Sequence, residues 1–328
     1  FNAEYGQAMS GVVNIVTKDG DDEFEWSVTG YGGDHLSSNS DVYRNIDSFS
    51  PTAQYNLQAN LSGPIIPGKL TMFGTIRRFV AEGHMDGVRQ YNIDDTFFDE
   101  VNPNTGIGGE GKWWLKGTYV GGGDSTANGT VGYAPLHLDS LEAFKDNGYR
   151  LGTGDSTFVH MNPYEKTSYH LKLTYKITPR LALRMNILQD QSYQQGWDEG
   201  MQLNPDAILH KYKTGGSVTF NINHQLTERT FYQLGYSNVG YEWQEYKFES
   251  EWAFAQYLDT DGDGILDAIN EDPEDINLVN ALSTQQLYSY FTGGINNNWF
   301  NRKTKSQIFK GDLTSQINKT VELKVGAQ

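Results

Sequence analysis

No cysteine occurs among the 328 residues, so disulfides and thiol chemistry play no part, and the redox compartment is left unmarked. No stretch approaches eighteen consecutive apolar residues, which excludes a helical membrane span. Basic residues are scarce: 25 Lys and Arg against 41 Asp and Glu give a formal charge of -16. That balance argues against a nucleic-acid partner, which would call for basic patches. The opening Phe1-Asn2-Ala3-Glu4 carries neither an initiator Met nor a basic leader segment, as expected of a mature or partial polypeptide.

The mean hydropathy of -0.59 is low, yet it does not exclude a membrane β-barrel. Such strands alternate lipid-facing apolar with lumen-facing polar residues and average out hydrophilic. Aromatic residues make up 13% of the chain, with 20 Tyr, 16 Phe and 7 Trp. They suit the aromatic girdles of such a barrel, and equally a soluble carbohydrate-binding β-protein.

Period-2 alternation recurs along the chain. Leu171, Leu173, Tyr175 and Ile177 share one face, with His170, Lys172, Thr174 and Lys176 on the other. Across Thr178-Pro179-Arg180 the pattern returns as Leu181, Leu183, Met185 and Ile187. Val218, Phe220 and Ile222 pair in the same way with Tyr232, Leu234 and Tyr236. Nine strands are expected, at roughly 24–32, 53–63, 69–81, 166–177, 180–194, 212–225, 228–248, 303–317 and 320–328. In the seventh the apolar face switches from Tyr236 to Val239, Tyr241 and Trp243, which reads as a bulge or as the strand leaving the membrane. The last strand runs to the end of the sequence.

The connections alternate between short and long. Short turns fall near residues 66, 179, 227 and 319; long loops occupy about 33–52, 82–165, 195–211 and 249–302. Outer-membrane barrels have this asymmetry, with short periplasmic turns and longer extracellular loops. A soluble sandwich, with turn signals every 8 to 12 residues and connections of two to six, accommodates such loops poorly. The expected fold is therefore all-β, an antiparallel transmembrane β-barrel.

Two motifs carry a family resemblance. Tyr5-Gly6, a small-residue stretch, and Ser10-Gly11-Val12-Val13-Asn14-Ile15-Val16-Thr17-Lys18 resemble the last plug-domain strand of TonB-dependent outer-membrane receptors. Leu61-Ser62-Gly63-Pro64-Ile65-Ile66-Pro67-Gly68-Lys69-Leu70, followed by Phe73-Gly74, resembles the second-to-third strand turn of the Oar-like members; SusC-like receptors share the architecture. Ser10 and Ser62 stand where the family carries Gly. The resemblance implies that residues 1–20 end a plug domain. Residues 21–328 would then be the first nine strands of a 22-stranded barrel in a Gram-negative outer membrane, long loops outside.

It further implies import of a scarce ligand into the periplasm, through plug movement powered from the inner membrane. The implied partners are a TonB-type energy-transducing protein, a surface lipoprotein and the lipid bilayer. Lumen-facing Lys172, Arg184, Asn186, Asn221 and Gln233 would line the wall around the plug. A barrel of the same architecture used for docking or secretion is one alternative, and a soluble extracellular glycan-active β-protein is another.

One segment has metal-ligand spacing. Asp259, Asp261, Asp263, the carbonyl of Ile265 and Asp267 fall at positions 1, 3, 5, 7 and 9 of a calcium loop, with Gly264 at position 6. Asn270 replaces the bidentate Glu at position 12, so the pattern is nearer to short DxDxDGxxD loops. A structural Ca2+ bracing loop 249–302 is expected. Trp113, Trp114, Trp197, Trp252 and Trp299 lie in expected loops, where they could stack on a ligand or simply pack. Gly106 to Gly111 and Gly121-Gly122-Gly123 lack the Lys-Ser/Thr of a phosphate loop and read as flexible. No histidine pair and no Ser, His and Asp arrangement is spaced for catalysis, so an enzyme is not expected.

Overall fold

The computed structural model describes residues 18–104, 107–120, 129–135, 138–249, 286–287, 290–296 and 298–328. The elements run β1 (Glu25–Gly33), β2 (Gln54–Ile66), β3 (Leu70–Ala81), β4 (Asp86–Val88), β5 (Thr96–Asn102), β6 (Ile107–Tyr119) and β7 (Val131–Pro135). After α1 (Leu138–Asp146) come β8 (Tyr149–Leu151), β9 (Phe158–His160), β10 (Tyr164–Thr178) and β11 (Leu181–Gln194). Two 3-10 turns at Glu199–Met201 and Pro205–Ala207 precede β12 (His210–Gln225) and β13 (Thr230–Tyr246). The hairpin β14 (Gln286–Leu287) and β15 (Tyr290–Phe291) leads to β16 (Phe300–Gln316) and β17 (Glu322–Ala327).

One antiparallel sheet of nine strands, ordered β1-β2-β3-β10-β11-β12-β13-β16-β17, dominates the chain. Each strand pairs with the next long strand in sequence, so the sheet is a pure meander. It is not closed; β1 and β17 are its edges.

The short connections carry their own turn chemistry. Between β2 and β3, Pro67 presets its φ and Gly68 takes φ +69°, the type II arrangement, closed by Lys69 N–H donating to the Ile66 carbonyl at 3.0 Å. Between β16 and β17, the Asn318 side-chain oxygen accepts from the backbone N–H groups of Thr320 and Val321, each at 2.9 Å. The Thr227 hydroxyl accepts from Arg229 N–H at 3.2 Å in the β12–β13 turn.

Register aligns the alternation across strands. Met72, Leu173, Met185, Phe220, Tyr236 and Phe309 are successive partners in a single row. Because all pairs are antiparallel and their register shifts only beside two of the short turns, at Pro64/Ile66 and Lys176/Thr178, the alternating apolar positions of all nine strands fall on one face. Nothing among the described residues covers them: Trp26 is 76% exposed, Val28 69% and Phe309 67%.

The apolar face forms a band that slants across the rows. In the row Gly30, Leu57, Arg78, Thr167, Gln191, Thr214, Glu242 and Lys303, only the first two are apolar. Two residues nearer the short turns, Val28, Ala59, Ile76 and Tyr169 are apolar before Gln189 breaks the run. In the next such row the run extends from Trp26 to Val218 and ends at Asn238. At the far edge the band has descended to Leu313 and Val325. The drift is about one residue per strand, as it must be if tilted strands cross a layer of constant height.

Two expectations are corrected. The pairings of β13 with β12 and β16 run without a register shift, so there is no bulge at Tyr236 to Val239. Val239, Tyr241 and Trp243 instead lie on the polar face. The long 82–165 connection carries structure of its own: β5, β6, β7 and β8 form a small sheet beside α1. Within it Gly108, Gly109 and Gly111 belong to strand β6 and not to a flexible segment. Gly121, Gly122 and Gly123 lie outside the described residues.

The buried core lies with these connections rather than with the large sheet. One cluster joins Ile93, Met161, Met201, Ala207 and Ile208; a second joins Tyr91, Leu115, Ala134, Leu141 and Leu151. The long connections at one end of the strands therefore build a packed cap, while the short turns lie at the other end.

Candidate functional site

The polar face of the sheet carries the most organised chemistry. Near the short-turn end of the strands, β10 places Lys172 between Phe73 and Asn186, and β11 places Arg184 between Thr174 and Asn221. Both cations face Asp19, in the segment that leads into β1. Lys172 Nζ lies 2.7 Å and Arg184 Nε 3.8 Å from its carboxylate, and the Thr174 hydroxyl donates to it at 3.3 Å. Burial works against the charge, but the Lys172 hydrogen bond and the two cations win, holding the Asp19 carboxyl below the usual carboxylate range.

The rest of the segment is pinned alongside. Asp21 N–H donates to the Ser62 hydroxyl at 2.9 Å, and Lys176 lies 3.8 Å from Asp22. A Cβ on Gly20 would collide with the Met72 backbone, so the close approach of segment to sheet requires glycine there. Residues 19–22 thus lie against the polar face, not the apolar one.

Nearer the cap, one row of the polar face reads Asn56, Phe79, Lys166, Ser192, Lys213, Trp243 and Arg302. Lys213 Nζ sits 5.0 Å and the Arg302 guanidinium carbon 5.9 Å from the centre of the Trp243 ring, with Phe300 edge-on at 5.2 Å. Lys166 is paired with Asp190 at 3.3 Å, and Lys211, one row up, with Glu245 at 3.6 Å.

The cap holds a second polar cluster. Asp95 is fully buried and accepts from Asn92 N–H and Thr153 N–H, each at 2.8 Å, and from the Thr153 hydroxyl at 2.5 Å. Burial outweighs these donors and pushes its carboxyl up to about 6. Arg89 bridges Asp206 at 2.5 Å and Asp155 at 3.1 Å, tying the 3-10 turns to the β8–β9 connection. His160 contacts Asp86 at 2.6 Å and Glu82 at 3.5 Å, and the Asp86 hydrogen bond raises its pKa above the usual histidine value. A cavity of about 380 Å³ opens beside Tyr91, Lys145, Arg150, Leu203 and Tyr290, within the size range of small-molecule sites.

The tryptophans expected in loops meet different fates. Trp114 is 5% exposed inside the cap, so it packs instead of presenting a platform. Trp197 packs against the Ile93 cluster and points its indole N–H at Glu199, 3.3 Å away. Trp299 is 61% exposed. Trp113 falls in β6, and its side chain lies outside the described residues, as does Trp252. Asp259, Asp261, Asp263, Ile265 and Asp267 also lie outside them, as does the plug-like strand 1–17. Among the described residues no group of three or more His, Asp or Glu is arranged to hold a metal.

Sequence reasoning missed Asp19 and the Trp243 group. Asp19 has no local signal, because its cations lie more than 150 residues away. Trp243 had one: its break in alternation marked a change of face. No protein family, curated protein or solved structure matches this chain.

Proposed function

We propose that this chain is the wall of an outer-membrane β-barrel of the TonB-dependent transporter type, importing a scarce ligand past a plug that lies against the polar face. The observation that carries the reading is the slanted apolar band. Strands about 4.8 Å apart, rising about 3.3 Å per residue, convert a drift of about one residue per strand into a tilt of about 35°. Outer-membrane strands tilt by about 35–45°.

Band height agrees. Tyr169 to Ile177 spans eight residue steps on β10, about 26 Å along the strand and about 22 Å along the barrel axis, against a lipid-facing belt of about 25 Å. Its area points the same way. Sixteen large apolar side chains on this face, from Trp26 to Val325, are 36–76% exposed. At about 200 Å² each and roughly half exposure they present roughly 1,500 Å², several times the largest patch on a typical soluble monomer. Such a face needs lipid or a second sheet over it, and no second sheet of that size exists among the described residues.

On this reading the short turns are periplasmic and the cap is extracellular. Asp19 would tether the plug exit to Lys172 and Arg184, so plug movement would strain a charge pair on the inner wall. Further strands would close the barrel, a TonB-type protein would pull on the plug, and a surface lipoprotein would sit over the cap. A calcium ion at Asp259, Asp261, Asp263, Ile265 and Asp267 would brace loop 249–302. The packed cores of the cap favour a second reading, a barrel of this architecture used as a docking surface.

Fractionation of the intact protein is the test. Recovery in the outer membrane, with detergent-dependent extraction and faster gel migration before boiling than after, is expected. Recovery in the aqueous phase without detergent would overturn the reading.

A further inference from the structure

We infer that Lys213 and Arg302, held on either side of Trp243, form a binding site on the polar face for an anion carrying carboxylate or phosphate groups. The inference rests on the reading of that face as a lumen and specifies the ligand class the lumen admits. The chain is -16 overall, so its cations have an excess of carboxylates to choose from. At this level of the wall Lys166 and Lys211 have taken one each, Asp190 and Glu245.

Lys213 and Arg302 have not; neither forms an ion pair among the described residues. Both are instead set against one indole, at 5.0 and 5.9 Å from its centre. The backbone register enforces this, since Trp243 is the direct partner of Lys213 on β12 and of Arg302 on β16. The two cationic heads therefore lie within about 11 Å of each other, and the ring quadrupole offsets part of their repulsion.

Phe300, edge-on to Trp243 at 5.2 Å, fixes the indole. Arg302 is exposed and Lys213 half-buried, so the charges face open space while their stems are braced. Two preorganised cations with no internal counter-charge among the described residues are suited to an anion with at least two charged oxygens. An acidic sugar and a phosphorylated ligand both carry that chemistry.

The test uses calorimetric titration of the intact protein in detergent with trigalacturonate as the carboxylate probe, pyrophosphate as the phosphate probe and maltotriose as the neutral control. At least one anion is expected to bind the wild-type protein while maltotriose does not. Lys213→Gln with Arg302→Gln together should weaken that binding tenfold or more, whereas Lys303→Gln, on the apolar face beside Glu242, should change it less than twofold. Whichever probe binds identifies the source of the charge. Binding of neither anion, equal binding of maltotriose, or an unchanged affinity in the double variant would overturn the inference. Gel migration of the same samples before and after boiling reports the barrel separately. A normal shift without anion binding sinks only the site; anion binding that depends on both cations, without a shift, sinks only the barrel.

Discussion

Phe220 and Thr219 are neighbours on β12 that the structure assigns to opposite faces. Phe220, 45% exposed, sits on the apolar face between Met185 and Tyr236; Thr219 sits on the polar face between Asn186 and Ser237, its hydroxyl 3.1 Å from that of Ser237. If the apolar face meets lipid, Phe220→Arg puts a charge near the middle of the band. That costs about 2–4 kcal/mol, roughly 30- to 900-fold in the folding equilibrium. Thr219→Arg adds a cation to a wetted wall and should cost within about 0.5 kcal/mol. In a water-exposed sheet, losing a half-exposed Phe would forfeit only about 1 kcal/mol. Urea unfolding of the intact protein in lipid vesicles separates these cases. A cost at Thr219 equal to or above that at Phe220 would refute the face assignment.

Three further outcomes are expected. Asp19→Asn removes the carboxylate that Lys172 and Arg184 share, at a cost of about 1–3 kcal/mol to that contact; hydrogen exchange at the Asp21 amide should accelerate by about tenfold or more. Leu115→Ala, at a side chain with no exposure, should cost the cap about 2–5 kcal/mol, so that its unfolding precedes that of the large sheet in a thermal scan followed by cap and sheet probes. Asp95 titrates at about 6 when folded, above its ordinary 3.8, so the folded cap binds the proton more tightly than the unfolded chain. Its contribution to stability is full below pH 3.8 and is lost as pH rises to about 6, a change of about 3 kcal/mol. Asp95→Asn should abolish that part of the pH dependence, gaining on the wild-type protein between about pH 4 and 7 in cap unfolding.

The large sheet was legible because alternation with period 2 is a strong signal when it repeats. All nine strands lie within three residues of where the pattern put them, and the short and long connections alternate as read. One face was misread, at Val239, Tyr241 and Trp243. Apolar side chains there looked like the same face displaced by a bulge, whereas they sit on the polar face, where Trp243 packs beneath Lys213 and Arg302. The cap was opaque for a different reason. Gly-rich β6 has no alternation to count, and Trp114, expected in a loop where it could stack on a ligand or pack, lies in β6 and is buried. Asp19 was invisible because its meaning lies in partners on β10 and β11.

On the proposed reading, one face of this sheet meets lipid along a band that descends about one residue per strand. Because the chain has no cysteine, single cysteines can be introduced and spin-labelled one at a time along β12 and β16 of the intact protein in vesicles. Oxygen accessibility is expected to peak at Val218, Phe220 and Ile222 on β12. On β16 it should peak at Phe309 and Leu313 and be low at Gln307, the position in the same row as Val218. A water-soluble nickel reagent reaching Phe220 or Phe309 as readily as Thr219, or oxygen maxima staying in one row across both strands, would contradict it.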